Sequence, residues 1–322
     1  MMRRRYMLMA AGGLALPGLV RAQDFPSHPI RLVVPFAAGG GTDVLARILA
    51  HAMTEKLGQQ VVVENRTGAG GNLAMENVVR SPAGGYSLLM GPNGAVAVNR
   101  HLYHDLTFDP LKDLAPVCLT FRIEHLLAVS NALPVKSVAE LIALAKAKPG
   151  SLTFGSGGVG SMIHLAGELF RLKTGIDMVH VPYRGGGPAM NDLVTGTISM
   201  MFDSLPSAEP QVTAGRVRAL ALCGTERHKL MPDLPTMVEA GVPGYAAATF
   251  AGLFAPQGTP QPVIMRLADA VRDLVATPAF VEQLGRSGGD AAASSPAELG
   301  EMMARDSAQW ETVVREAKLS AS

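Results

Sequence analysis

Charge, aromatic side chains and cysteine are all scarce in this chain. Of its 322 residues, 17% are charged and 5% aromatic, with one tryptophan and two cysteines. Two cysteines cannot staple a small disulfide scaffold. Cys118 and Cys223 both sit in apolar, strand-like runs and read as buried thiols rather than as a bridge. No Lys/Arg surplus marks a nucleic-acid partner, and no basic amphipathic stretch marks a membrane surface. Beyond the first residues, no apolar segment approaches the roughly 20 residues that a transmembrane helix needs.

The first residues read as an export signal. Arg3, Arg4 and Arg5 form a basic start, Tyr6 to Val20 a short apolar run, and Val20-Arg21-Ala22 a small-residue cleavage site. Cleavage after residue 22 is expected over a retained anchor, because the apolar run is short and broken by Gly12, Gly13 and Pro17. The arginines also fit a loose twin-arginine pattern, so both the Sec and the twin-arginine route stay open. Residues 1–22 carry four arginines and no acid, so their loss turns a formal charge of +1 into −3. The roughly 300 residues that remain suggest two lobes rather than one.

What is abundant is glycine placed between strands and helices. Ile30–Val34 is an apolar strand, and Asp43–Leu57 is a helix with Leu45, Ile48, Leu49 and Met53 on one face. Between them, Phe36-Ala37-Ala38-Gly39-Gly40-Gly41-Thr42-Asp43 holds no Lys, Arg, His or Cys. Glycines let a ligand approach the backbone, and the following helix turns free N–H groups and its positive dipole end toward that space. Such a turn captures an anion. A second unit follows: strand Leu152–Phe154, loop Gly155–Gly160, helix Met162–Lys173. Alternating strands and helices predict parallel α/β layers. The strand Ile198–Phe202 is expected to end just before Asp203.

Several chemistries compete for these loops. Gly155, Gly157 and Gly160 satisfy G-x-G-x-x-G, the dinucleotide fingerprint. A ribose-binding acid should then end the next strand, but that strand ends in Pro182-Tyr183-Arg184. Ser156 and Ser161 flank the loop without a G-x-S-x-G elbow or an assignable His and acid. His101 and His104 lack the H-E-x-x-H context of a metal site, so no metal and no cofactor are expected. Trp310 on an amphipathic helix reads as a packing anchor. Asp43 either compensates its helix dipole or reads a ligand. Asp203, with Ser204, either caps the following helix or bonds a ligand's hydroxyl, amine or protonated end.

Longer motifs run in order along the chain. They include Pro26-x-x-Pro29-Ile30-Arg31-x-x-Val34-Pro35-Phe36, Gly39-Gly40-x-x-Asp43, and Val62-Val63-Glu64-Asn65-Arg66-x-Gly68-Ala69-Gly70-Gly71-Asn72. Asp113-Leu114-Ala115-Pro116-Val117, His164-Leu165-Ala166-Gly167-Glu168-Leu169-Phe170, His180-Val181-Pro182-Tyr183-Arg184-Gly185, Met200-Met201-Phe202-Asp203 and Gly252-Leu253-Phe254-Ala255-Pro256 complete the set. Together they closely resemble the Bug family, the extracytoplasmic solute receptors of tripartite tricarboxylate transporters. The resemblance implies an α/β fold of two Rossmann-like lobes joined by two crossing strands, the type II topology of periplasmic binding proteins. Residues 23–121 with 225–322 would form the first lobe and 122–224 the second, with the crossings near Val117–Ser130 and Val217–Thr225.

The same resemblance implies a non-catalytic, monomeric periplasmic receptor. It would hold a small carboxylate and pass it to the membrane subunits of a transporter, with no nucleic-acid partner. Carried onto this chain, the ligand contacts are Phe36, Ala37, Gly39, Gly40, Gly41, Thr42 and Asp43 in one lobe. Ser156, Gly157, Gly160, Ser161 and Met162 lie in the other, with Asn93, Tyr183, Asp203 and Ser204 lining the cleft. An orphan receptor feeding a sensor, or an exported nucleotide-dependent or hydrolytic enzyme, is the alternative. The chain departs from the family pattern at Ala37-Ala38, where Pro-Pro is common, at Gly155-Ser156-Gly157-Gly158, which has at least one hydroxyl fewer than the usual Ala-Ser-Ser-Gly-like run, and at Ser204, where Asn is common. Met162 adds an adaptable apolar side chain. Fewer polar groups predict a ligand less polar than citrate, an aromatic or aliphatic mono- or dicarboxylate.

Overall fold

The computed structural model describes residues 25–316 and 318–321; the expected export signal lies outside them. Two sheets organise the chain. The first contains β1 (Ile30–Val34), β2 (Val61–Asn65), β3 (Ser87–Pro92), β4 (Leu114–Ile123), β10 (Thr249–Pro256) and β11 (Gly289–Ala291), in the order β11-β4-β10-β3-β1-β2. The second contains β5 (His125–Ser130), β6 (Leu152–Ser156), β7 (Met178–Pro182), β8 (Met200–Ser204) and β9 (Val217–Leu222), in the order β7-β6-β8-β5-β9.

Both sheets are covered on both faces, which the period-two alternation of their apolar strands dictates. In β1, Ile30, Leu32 and Val34 face one core and Val33 faces another. In β5, Leu127 and Val129 face one core while Leu126 and Ala128 face the opposite one. Helix α1 (Gly41–Leu57) packs Leu45, Leu49 and Met53 against β1 and stops at Gly58, whose left-handed φ of 69° only glycine adopts freely. Helix α2 (Asn72–Val79) covers the other face of the first sheet. In the second lobe, α3 (Val138–Ala147) starts on its capping serine, with Glu140 N donating to Ser137 Oγ at 3.2 Å. Helices α4 (Met162–Thr174), α5 (Gly186–Thr195) and α6 (Leu205–Thr213) complete that lobe. Helices α7 (Gln261–Val275), α8 (Pro278–Arg286) and α9 (Pro296–Glu316) return to the first, where Trp310 is buried as an anchor.

Three expectations change. The sheets are mixed rather than parallel: β1 runs parallel to β2 and β3, but β10 is antiparallel to β3 and β4, and β5 to β8 and β9. A strand that enters from the other lobe runs against the local βα units. The first crossing lies where expected, at the β4–β5 junction around Glu124. The second does not, because Val217–Leu222 is an edge strand of the second sheet. The chain goes back only between Ala247, whose N–H donates to Cys223 O, and Thr249.

The lobe boundary therefore moves from residue 225 to about residue 248. Met237, Val242, Tyr245 and Ala247 all join the second core, and Tyr245 Oη donates to Ala166 O at 2.9 Å. Burial of apolar surface, not chain order, decides where this segment packs. Cys118 and Cys223 are free buried thiols in separate cores, and burial pushes both upward in pKa.

Candidate ligand-binding site

The first glycine turn leaves β1 through Pro35 and enters α1 at Gly41. Gly40 takes the N-cap position with extended backbone (φ −76°, ψ 157°) and supplies no side-chain cap. The free N–H groups of the first helical turn therefore remain available. Asp43 does not point into the opening. Its carboxylate accepts Gly39 N at 3.0 Å, Arg47 Nε at 3.0 Å and Asn65 Nδ2 at 2.8 Å. Asn65 also donates to Phe36 O at 2.9 Å, so both ends of the turn are tied to one buried acid. Gly39 belongs to that tie rather than to the cavity wall.

The second glycine turn leaves β6 at Ser156 and enters α4 at Met162. Its N-cap is Ser161, whose Oγ accepts His164 N at 3.3 Å and donates to Gly158 O at 2.7 Å. Ser156 is fully buried: its Oγ accepts Gly158 N at 3.1 Å and contacts His180 Nε2 at 2.6 Å. It supports the turn from below and is not placed as an exposed nucleophile. His164 Nδ1 accepts Gly160 N at 3.3 Å, so that ring must present a lone pair. Burial lowers the pKa of His164 to about 3, helped by the neighbouring His180 and Arg171, and burial lowers that of His180 to about 4. Gly160 itself lies against the first lobe, where a Cβ would overlap Asn99 Oδ1.

Two further helix starts converge on the same place. Helix α5 opens at Gly186 after a Gly185 N-cap with no side-chain cap, and α6 opens at Leu205 after Ser204, again with no side-chain cap. The turn before α5 meets the first loop directly. Ala37 N donates to Arg184 O at 3.1 Å; a Cβ on Gly185 would come within 2.7 Å of Ala37 N, and one on Gly187 within 2.8 Å of Ala38 O. Only glycine fits that approach. A Cβ on Gly41 would likewise overlap Ser204 Oγ across the lobes.

Between these starts lies a narrow cavity of about 40 Å³. The first loop contributes Phe36, Gly40, Gly41 and Thr42, and the second lobe contributes Gly157, Ser161, Met162 and Ser204. Sequence reasoning missed the rest of the wall: Pro92, Gly94, Ala95, Ile123, His125, Ile163, Gly186 and Thr249. Gly186 carried the same signal as the other two turns, a glycine run between a strand and a helix with Pro188 in its first turn. His125 and Thr249 carried none, since they sit on the two crossings and meet only when the lobes pack.

The remaining expected contacts turn away from the cavity. Asn93 Nδ2 donates to Asp306 Oδ2 at 3.0 Å, and Tyr183 Oη donates to Asp192 Oδ2 at 2.5 Å. Asp203 lies within β8, which runs on to Ser204, instead of following the strand, and it is fully buried. It accepts Ser204 N at 2.8 Å and the hydroxyls of Ser204 and Ser207. Burial raises its pKa to about 6 against those hydrogen bonds. Its work is to hold the start of α6. Ala37 forms the interlobe seam.

No Lys or Arg side chain lines this cavity. Its titratable wall residue is His125, whose pKa burial lowers to about 4. Positive potential there comes from the backbone of the converging helix starts. Phe36, Ile123, Met162 and Ile163 make the other surfaces apolar. Such a site fits an anion with a small carbon skeleton.

Residues 45–319 match the family model described as the tripartite tricarboxylate transporter family receptor. The Bordetella pertussis protein BugT is 36% identical over 309 residues, spanning 96% of this chain and 94% of BugT. The structure of R. palustris Rpa4515 with adipate superposes with a TM-score of 0.90 at 37% identity, covering 92% of this chain and 99% of that one. MatC from Rhodopseudomonas palustris with bound malate superposes with a TM-score of 0.85 at 33% identity, covering 90% and 100%.

Proposed function

The chain belongs to the tripartite tricarboxylate transporter receptor family, and on that premise we propose that it is a periplasmic receptor that captures a small carboxylate without turning it over. It delivers that solute to the membrane subunits of a tripartite transporter. Cleavage after residue 22 supplies the exported form, and it works as a monomer. Residues 25–123 with 249–321 act as one lobe and 124–248 as the other.

One observation carries this function: helices α1 and α5 start without a side-chain cap at a cavity that has no cationic side chain. Backbone N–H groups of the turns at Gly40–Thr42, Gly157–Met162 and Gly186 hold the carboxylate. Each charge-assisted hydrogen bond contributes about 1.5–3 kcal/mol. Three or four, less the cost of capture, reach the roughly 8 kcal/mol of a micromolar complex. Backbone donors suit a carrier, because they need no buried cation and do not titrate.

The adipate and malate in the neighbouring structures support a carboxylate as the ligand here. The apolar side chains facing it support one less polar than citrate. Calorimetric titration with aliphatic and aromatic mono- and dicarboxylates and with citrate tests this. Micromolar binding of a mono- or dicarboxylate, recovered chemically unchanged, is expected. Binding of citrate alone would overturn the polarity argument, and steady consumption of the ligand would overturn the receptor.

A further inference from the structure

The cavity has a second wall that the helix starts do not build. It comes from the two crossings and carries Ile123, His125 and Thr249. His125 is clamped: Nδ1 lies 3.0 Å from Phe202 O and Nε2 lies 2.7 Å from Thr249 Oγ1. Thr249 is the residue that opens β10; it is 5% exposed and lines the cavity.

The directions of these two hydrogen bonds are forced. A backbone carbonyl can only accept, so Nδ1 carries the proton. A neutral imidazole has one N–H, so Nε2 is a lone pair and the Thr249 hydroxyl proton must point at it. His125 is 2% exposed, and its burial keeps the ring neutral well below pH 7. Thr249 Oγ1 is thereby left with lone pairs alone for anything in the cavity. Ile123 offers this wall no polar side-chain atom, and the Glu124 carboxylate is already engaged, accepting His125 N at 2.7 Å. The two walls thus have opposite polarity, N–H donors at the helix starts and an acceptor at the crossings.

We infer that the crossing wall selects a carboxylate carrying a hydrogen-bond donor, a hydroxyl or N–H, with Thr249 Oγ1 as the acceptor and His125 as the positioning residue that fixes its direction. This specificity rests on the carboxylate-receptor function proposed above. A second ionised carboxylate placed at this wall would meet an oxygen lone pair with no proton between them. An unsubstituted alkyl end would leave Thr249 Oγ1 without a partner after water has been expelled.

Calorimetry with straight-chain carboxylates of about three to six carbons provides the test. Each length is offered as the unsubstituted acid, its 2-hydroxy and ω-hydroxy derivatives, and the dicarboxylate. One hydroxy derivative should bind about tenfold tighter than its unsubstituted parent, the value of one hydrogen bond. Thr249→Val should erase that advantage, so that hydroxylated and unsubstituted acids bind alike; Thr249→Ser should keep it. Nitrogen-15 NMR of His125 at pH 7 should show Nδ1 protonated and Nε2 bare, a signature that a purely structural histidine need not give. Equal binding of hydroxylated and unsubstituted acids by the unaltered protein, or a protonated Nε2, would overturn the inference and leave the receptor function standing. Failure of every carboxylate in the panel would remove both.

Discussion

The two glycine turns both bring the start of a helix to the cavity, but hold it by opposite chemistries. The turn at Phe36–Gly41 is tied by ionic groups: Asp43 gathers Gly39 N, Arg47 and Asn65 on one buried carboxylate. The turn at Gly157–Ser161 is tied by neutral groups: Ser156 on His180, Ser161 on Gly158 O, and Gly160 N on His164. In both, the bracing side chains stay behind the turn, so Gly40, Gly41 and Gly157 present backbone to the cavity between Phe36, Thr42, Ser161 and Met162. Each turn is thus stiffened from behind, beside a cavity that no Lys or Arg side chain lines. The two chemistries should fail under different insults.

The largest expected effect tests whether the turns act together. Gly41→Val places a side chain where Ser204 Oγ sits across the lobes. Affinity for any bound carboxylate should fall by at least about a hundredfold, or roughly 2.7 kcal/mol. The melting temperature should change by only a few degrees, because the overlap exists only with the lobes together. Affinity within threefold of the unaltered protein would remove the α1 start from the site.

Breaking the ties one at a time should separate the two chemistries. Asp43→Ala leaves Asn65 Nδ2, Gly39 N and Arg47 without their acceptor and should cost about 3 kcal/mol of stability. Ser156→Ala removes a neutral hydroxyl from His180 and Gly158 N and should cost about 1–2 kcal/mol. Urea unfolding of the two variants measures the gap. Equal losses would erase the distinction between the turns.

Acid should loosen only the second turn. His164 and His180 have pKa values lowered to about 3 and about 4, so the folded turn favours their neutral forms. The opened turn binds protons once pH drops below about 6.5, and the stabilisation is lost progressively as pH falls from there toward 4. The slope reaches about 1.4 kcal/mol, or tenfold, per pH unit for each histidine. Asp203, Glu124 and Asp306 have raised pKa values and act in the opposite sense on global stability, which they weaken as pH rises. A local probe is therefore needed. The hydrogen-exchange protection of the Gly160 amide should fall between pH 6.5 and 5 relative to the Gly39 amide, which has no histidine acceptor. Parallel behaviour of the two amides would remove the histidines from the hold on the turn.

The smallest effect belongs to a residue outside both turns. Tyr183→Phe loses only the hydrogen bond to Asp192. Stability should drop by about 0.5–1.5 kcal/mol, with ligand affinity unchanged by calorimetry. A tenfold loss of affinity would return Tyr183 to the cavity wall.

Local grammar made much of the fold legible. The strand at Ile30–Val34 has the bounds expected of it, and α1 stops at Gly58 as its glycine requires. The capping box at Ser295 forms, with Glu298 N donating to Ser295 Oγ at 3.2 Å and Ser295 N to Glu298 at 2.7 Å, and Ser137 caps its helix while Glu140 takes Lys136 N instead. Reading failed where a residue's role depends on what lies across the fold. Asn93 has a plausible position for ligand contact, yet its partner, Asp306, lies 213 residues away. The segment around Tyr245 follows the second apolar stretch, and chain order alone assigns it to the first lobe. Its ring is instead buried in the second core, bonded to Ala166.

The sequence by itself determined the two glycine turns, the helices they open and the lack of cationic groups in the first turn. These are matters of backbone conformation and nearest neighbours, settled within about ten residues. The tertiary structure alone decided that a third turn, at Gly185–Gly187, completes the ring of helix starts and that Asp43 and Asp203 brace it from outside the cavity. It also decided that His125 and Thr249 meet at the cavity wall and bond each other. A hydrogen bond's direction depends on both partners, and these partners come together only where the two crossings pass between the lobes.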